Sequence, residues 1–239
     1  AVTIYVQSAD LGGLRTCARL MVARKGATCM MTTASPSLLS VYDGWDSHQL
    51  ALTRAIAPLT PEQLAWRAAP NLLPVGAIIS HLALARLYWF HQMAAPGSAA
   101  LAQQVPAWTG EQLDAANPAE LQHWIDVLVE LEAALEDKPS ELRRWLAASW
   151  QMIETTLSTW TVADLTQTYQ RRFQANLYAV SRQWTIWRIL SHDLHHGGEV
   201  ALLLGLQGIE IPDLGDRGGH LTELTLIEPD RSRSRGPQP

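Results

Sequence analysis

The chain has 239 residues, of which 17% are charged and 47% hydrophobic, enough to build one sizeable core or one domain with tails. A net charge of −5 argues against nucleic acid or an anionic membrane as the main partner, because such surfaces attract clustered Lys and Arg. Two cysteines, Cys17 and Cys29, cannot make a disulfide framework of the secreted kind, and no run of about 18 apolar residues offers a transmembrane helix, so a cytoplasmic, reducing setting is expected.

The N-terminal stretch differs from the rest. Val2–Val6 reads as a short strand, and Arg15, Arg19, Arg24 and Lys25 make the segment basic without the longer apolar region of a signal peptide. Both cysteines lie here. Met30-Met31 precede a polar lead-in, so the natural start is expected there, with residues 1–30 an extension outside the core. A genuine N-terminal arm is the alternative.

From residue 37 the pattern is helical. Val41, Trp45, His48, Leu52, Ala55 and Ile56 recur at spacings of three and four over 37–57, until Pro58 and Thr60-Pro61 stop the helix. Pro74 opens a second helix with Ile78, His81, Leu82, Ala85, Tyr88 and Trp89 on one stripe. Residues 94–106 read as a loop. Pro118 to Glu136 carries Leu121, Ile125, Leu128, Leu131 and Leu135 in register. Ser140 is the expected cap of the next helix, which runs through Leu142, Leu146, Trp150, Ile153, Leu157 and Trp160. The last helix spans about Arg182 to Leu204 and is followed by Gly205 and Gly208.

Period-two alternation is confined to residues 2–6 and to Leu221–Leu226. The fold class is therefore all-α: an antiparallel four-helix bundle over residues 38–212, with an extra helical segment. The tail, residues 216–239, ends in Arg231-Ser232-Arg233-Ser234-Arg235 without apolar periodicity and reads as disordered. Most of the 10 tryptophans are expected in the core or between helices.

Chemistry concentrates in Ser191-His192-Asp193-Leu194-His195-His196-Gly197-Gly198-Glu199. His192 and His196 are spaced i, i+4, which places both imidazoles on one helix face, close enough to share a metal ion. A catalytic metal site commonly has three protein ligands and an open position, so a third ligand must come from another helix. His81 is the best candidate, because it lies on an apolar stripe where a histidine needs a polar partner. His195, about 100° round from His196, is read as a neighbour and not a ligand. Asp193 is expected to make a polar contact of its own. Glu199 shares the face of His196 and is the candidate catalytic residue, orienting a ligand or acting on bound water; a solvated glutamate is the alternative. His48 is expected to face inward on the first helix; lining the pocket is the lesser of the readings open to it. His91, His123 and His220 are read as surface residues. Gly197-Gly198 inside a helix costs about 1 kcal/mol per glycine relative to alanine, which points to close helix approach or room near the site.

Residues 38–212 resemble the DinB/YfiT-like superfamily of four-helix-bundle metalloenzymes. The resemblance rests on Gly76-Ala77-Ile78-Ile79-Ser80-His81-Leu82-Ala83-Leu84-Ala85-Arg86, similar to the family's second helix, and on Leu190 to Gly205, similar to its HxxxH helix. The turn Leu157–Leu165 resembles the end of the family's third helix. The resemblance implies metal ligation by His81, His192 and His196, with zinc or nickel as the divalent ion and water completing the shell. It also implies a small-molecule substrate and a low-molecular-weight thiol cosubstrate such as mycothiol, bacillithiol or glutathione. Residues 113–137 depart from the family as an added helical segment able to reshape the pocket mouth. A homodimer is left open.

Three functions compete. The first is a metal-dependent transferase, isomerase or hydrolase acting on a thiol or water. The second is a non-catalytic metal-binding or stress-response bundle. The third is a zincin-like hydrolase, reading His192-Asp193-Leu194-His195-His196 as HDxxH with Asp193 as base and the poorly placed His220 as third ligand.

Overall fold

The structure, a computed structural model, describes residues 36–106, 116–173 and 176–215. The expected strands at 2–6 and 221–226, both cysteines, the extension 1–30, the tail 216–239 and His220 lie outside them.

The chain enters through a 3₁₀ turn, Leu38–Ser40, and Gly44 takes a left-handed conformation (φ 93°) that only then releases α1, Trp45–Ile56. The first helix is therefore shorter than its periodicity suggests, and Val41 is half-exposed outside it. Thr60 and Gln63 close a capping box on the short α2, Pro61–Ala65. Pro74 caps α3, Val75–Gln92, and α4, Ser98–Ala102, follows. The Asn117 side chain accepts from the Ala119 and Glu120 backbone N–H groups and starts α5, Pro118–Leu135. Ser140 does not cap α6, Pro139–Thr159. Lys138 holds that position without a side-chain bond, because Pro139 starts the helix two residues early with its fixed φ. Ser181 accepts from the Trp184 N–H and opens α7, Arg182–Leu206; α8, Pro212–Gly215, ends the described chain.

The helices α1, α3, α6 and α7 form the bundle, with α5 laid on α3. His81 meets His192 while Trp89 meets Trp184, so α3 and α7 run antiparallel. Trp45 packs on Trp150 and Arg143 bonds the Ala57 carbonyl, so α1 and α6 do the same. Leu82, Leu87, Trp145, Ile153, Ile186 and Ile189 are buried where these helices meet. Each such side chain contributes roughly 1.5–3 kcal/mol of transfer free energy. The expectation for tryptophan holds for Trp45, Trp124 and Trp145, whereas Trp184 and Trp187 are half-exposed or more.

Three further expectations need correction. Residues 94–106, read as a loop, hold the short helix α4, which follows Gly97 in a left-handed conformation (φ 81°). A β-hairpin, β1 Thr168–Phe173 and β2 Asn176–Ser181, stands between α6 and α7, with Tyr169 opposite Val180 and Arg171 opposite Tyr178. Neither strand has a buried face, so neither shows the alternation that marks a half-buried strand. His91 is buried rather than on the surface, because α5 lays Trp124 over it with ring centroids 5.8 Å apart. His123, on the outer face of α5, is exposed as expected.

Candidate metal centre

One face of α3 carries His81 toward the face of α7 that carries His192 and His196. The Nε2 atom of His192 lies 3.1 Å from Nε2 of His81 and 3.1 Å from Nε2 of His196. The outer nitrogens of two rings are anchored on carboxylates. His81 Nδ1 donates to Glu132 Oε1 at 3.0 Å, and His196 Nδ1 donates to Glu199 Oε2 at 2.6 Å. A ring whose Nδ1 proton is given to a carboxylate presents a lone pair at Nε2 when neutral. Both flanking rings therefore aim lone pairs at the point that His192 Nε2 also faces. The His192 Nδ1 is buried without a hydrogen bond among the described residues.

The electrostatics agree. Burial, and after it His196 and His81, push the His192 imidazole down to about 3, so it is neutral at ordinary pH. Burial also lowers His196 against the opposing pull of Glu199. The hydrogen bond that His81 donates to Glu132 raises its pKa despite burial, whereas those of His192 and His196 are lowered. Two nitrogens bound at ~2.0–2.1 Å to one tetrahedral zinc lie about 3.3 Å apart, close to the observed spacing. Three imidazoles, two of them with carboxylate-held outer nitrogens, are a donor set that fits a divalent transition metal. The His81 side chain is 40% exposed, so the cluster opens to solvent on that side.

The neighbours divide sharply. His195 is 67% exposed and reaches Glu199 Oε1 at 3.3 Å. Both Glu199 oxygens are thus engaged by histidines, and its geometry suits orienting His196. His195, His196 and Glu199 also lie close enough to form a second group of ligand atoms. However, the His196 Nε2 points at His192 and its Nδ1 is held by Glu199, so this group belongs to the same cluster.

Asp193 faces the opposite way. It is buried, pairs with Arg86 at 2.8 Å and accepts from Trp45 Nε1 at 2.7 Å. Arg86 in turn donates to Gln49 Oε1 at 2.8 Å. An aspartate so occupied cannot serve as the base of an HDxxH hydrolase, which sets that reading aside. His48 is buried and donates from Nε2 to the Asp193 carbonyl at 3.0 Å. It lines a cavity of about 340 Å³ with Trp45, Trp187 and Leu194, away from the three histidines. Gly197 makes that approach possible, since a Cβ there would stand 2.5 Å from His48 Cε1. Nothing in the structure explains Gly198, which faces open space.

The sequence reading missed Glu132. It lies on α5, inside the segment read as an addition, one residue beyond Leu131 of the apolar stripe. A carboxylate at the edge of a buried stripe was the available signal. The close seating of α5 on α3 is what aims it, and Gly76 permits that seating: a Cβ there would stand 1.8 Å from the Glu136 carbonyl oxygen.

Fold and cluster together define a helical bundle with three histidines converging between two of its helices. The DinB superfamily model matches residues 45–200, and the chain belongs to that superfamily. Among solved structures, the crystal structure of a DinB-like protein from Bacillus cereus ATCC 10987 is similar, with 17% sequence identity over 73% of this chain and 93% of the other, at a TM-score of 0.41. No curated protein matches the chain. No helix among the described residues is long and apolar enough to cross a membrane.

Proposed function

We propose that this protein is a divalent-metal-dependent enzyme that holds zinc or nickel on His81, His192 and His196 and acts on a small molecule, with a low-molecular-weight thiol or water as the second reactant. The observation that carries the reading is the convergence of three Nε2 atoms, with the outer nitrogens of His81 and His196 fixed by Glu132 and Glu199. A divalent ion placed among the three would accept all three nitrogen lone pairs at once. Such an ion supplies Lewis acidity and lowers the pKa of a thiol or water beside it. The chain's own contribution is positional. Glu132 and Glu199 fix tautomer and ring orientation, the Arg86–Asp193 pair fixes the rotation of α7, and Ile78, Ala85 and Val200 supply an apolar surround that strengthens local electrostatics. The scarcity of cysteine suits a cytoplasmic setting, where a thiol cosubstrate stays reduced.

Full-length protein purified without an affinity tag is expected to carry about one equivalent of zinc or nickel by elemental analysis. His81→Ala, His192→Ala and His196→Ala are each expected to lose the metal and any thiol-transfer activity toward an aromatic electrophile while remaining helical by circular dichroism. His195→Ala is expected to keep both. Full metal stoichiometry and affinity in His81→Ala sinks the three-histidine reading. Stoichiometric metal with no turnover of any thiol–electrophile pair moves the non-catalytic binding bundle ahead.

A further inference from the structure

Beside the histidine cluster, the hairpin, α3 and α7 enclose a cavity of about 580 Å³. Four aromatic rings line it: Trp89 from α3, Phe173 and Tyr178 from the hairpin, and Trp184 from α7. Phe173, Tyr178 and Trp184 are each about half-exposed, an unusual amount of hydrated ring surface in one place. Two guanidinium groups stand among these rings. Arg171 Cζ lies 4.4 Å and Arg188 Cζ 4.7 Å from the centroid of the same Trp89 ring, and Arg188 also lies 5.5 Å from Trp184.

The charges are not neutralised. Arg171 donates to Gln92 Oε1 at 2.9 Å and to the Tyr88 hydroxyl at 3.1 Å, both neutral acceptors. The Arg188 guanidinium makes no hydrogen bond or ion pair among the described residues; its backbone carbonyl accepts from Ser191 Oγ. Two like charges against one indole, with no carboxylate paired to either among the described residues, raise the local potential of a partly apolar cleft and favour an anion there. A guanidinium held flat by stacking presents its edge N–H groups, the geometry that receives a carboxylate with two hydrogen bonds. The ring surface suits a flat apolar body. The position matters as well: Arg188 is one helical turn before His192, about 6 Å along α7.

We propose that this cavity binds an organic carboxylate with a flat aromatic body, its acid group on Arg188 and Arg171 and its ring among Trp89, Phe173, Tyr178 and Trp184. That such a molecule is the substrate rests on the metalloenzyme reading above; that it binds does not.

The test titrates 1-naphthoate and its neutral amide, 1-naphthamide, into the full chain by calorimetry. Naphthoate binds saturably with one site per chain, and the amide binds about tenfold more weakly or worse, the loss of one charge-assisted contact. Arg188→Gln, a change at an exposed position, weakens naphthoate about tenfold. It leaves the amide, the thermal midpoint and the zinc stoichiometry unchanged, and Arg188→Lys recovers part of the loss. Equal affinity for acid and amide, or an Arg188→Gln protein that binds naphthoate as before, overturns the assignment. His81→Ala separates the two readings. Naphthoate binding retained there supports the arginine site, whereas binding lost there and kept in Arg188→Gln means that the acid sits on the ion, which overturns it. A chain that takes up neither zinc nor nickel yet shows Arg188-dependent naphthoate binding defeats the metalloenzyme and leaves the carboxylate pocket standing.

Discussion

Glu132 Oε1 stands 3.0 Å from His81 Nδ1 although the two residues are 51 positions apart and lie on different helices. Carboxylates in this position fix ring orientation and raise ligand basicity, and losing them typically costs 10–100-fold in metal affinity. Glu132→Ala is expected to weaken zinc binding by roughly that factor in a competition with a chromophoric chelator. Glu132→Gln, which keeps an acceptor but loses the charge, should fall between. Unchanged affinity in Glu132→Ala would show that His81 is oriented by packing alone.

Asp193 presents the opposite face of α7 to a buried arginine. Asp193→Ala strands the Arg86 charge away from water, and removing one partner of a buried pair costs about 3–5 kcal/mol. Urea unfolding should register that loss. Metal affinity should fall as well, because the rotation of α7 sets where His192 and His196 point. A loss below about 1 kcal/mol, the range of an exposed pair, is incompatible with the burial described.

The paired glycines of α7 should respond with opposite signs. Gly198 meets nothing, so Gly198→Ala is expected to stabilise by roughly 0.5–1 kcal/mol through backbone entropy. Gly197→Ala drives a methyl into His48 and is expected to destabilise by about 1–3 kcal/mol. Denaturant midpoints of the two variants would decide the matter, and two shifts of the same sign contradict the packing seen at His48.

Burial lowers the pKa of His91 below its ordinary value of 6.5. The unfolded chain then binds more protons than the folded one below 6.5, so this contribution is intact above 6.5 and is lost as pH falls through the folded value. His192 and His196 act in the same direction. His81, with a raised pKa, acts in the other: its contribution is present at low pH and lost as pH rises. Thermal midpoints in chelator at pH 7.5 and 5.5 should therefore fall further for the wild type than for His91→Leu. Equal falls would mean that His91 does not change its protonation on folding.

Helical periodicity made the bundle legible, because α3, α6 and α7 each bury an apolar face that recurs at three and four residues. The histidines were legible for the same reason, since i, i+4 is a local relation and His81 sits on such a face. Tertiary relations left weaker traces. The burial of His91 depends on where α5 comes to rest. The hairpin is held by cross-strand pairing with neither face buried, so its strands carry no periodic mark. No local pattern in the sequence marks Arg171 and Arg188, which only the fold brings to one indole.

The contact between His81 and His192 closes a loop spanning 111 residues. Loops of that length close late, after local helices have formed, because their entropy must be met before the contact gives anything back. The histidine cluster is thus a reporter of complete assembly. A nascent or partly unfolded chain offers at most the His192–His196 pair, and only docked α3 and α7 offer three nitrogens. Affinity for an ion shared by all three is linked to global stability, so mutations far from the cluster that loosen the bundle should read out as weaker binding before they read out as loss of helix.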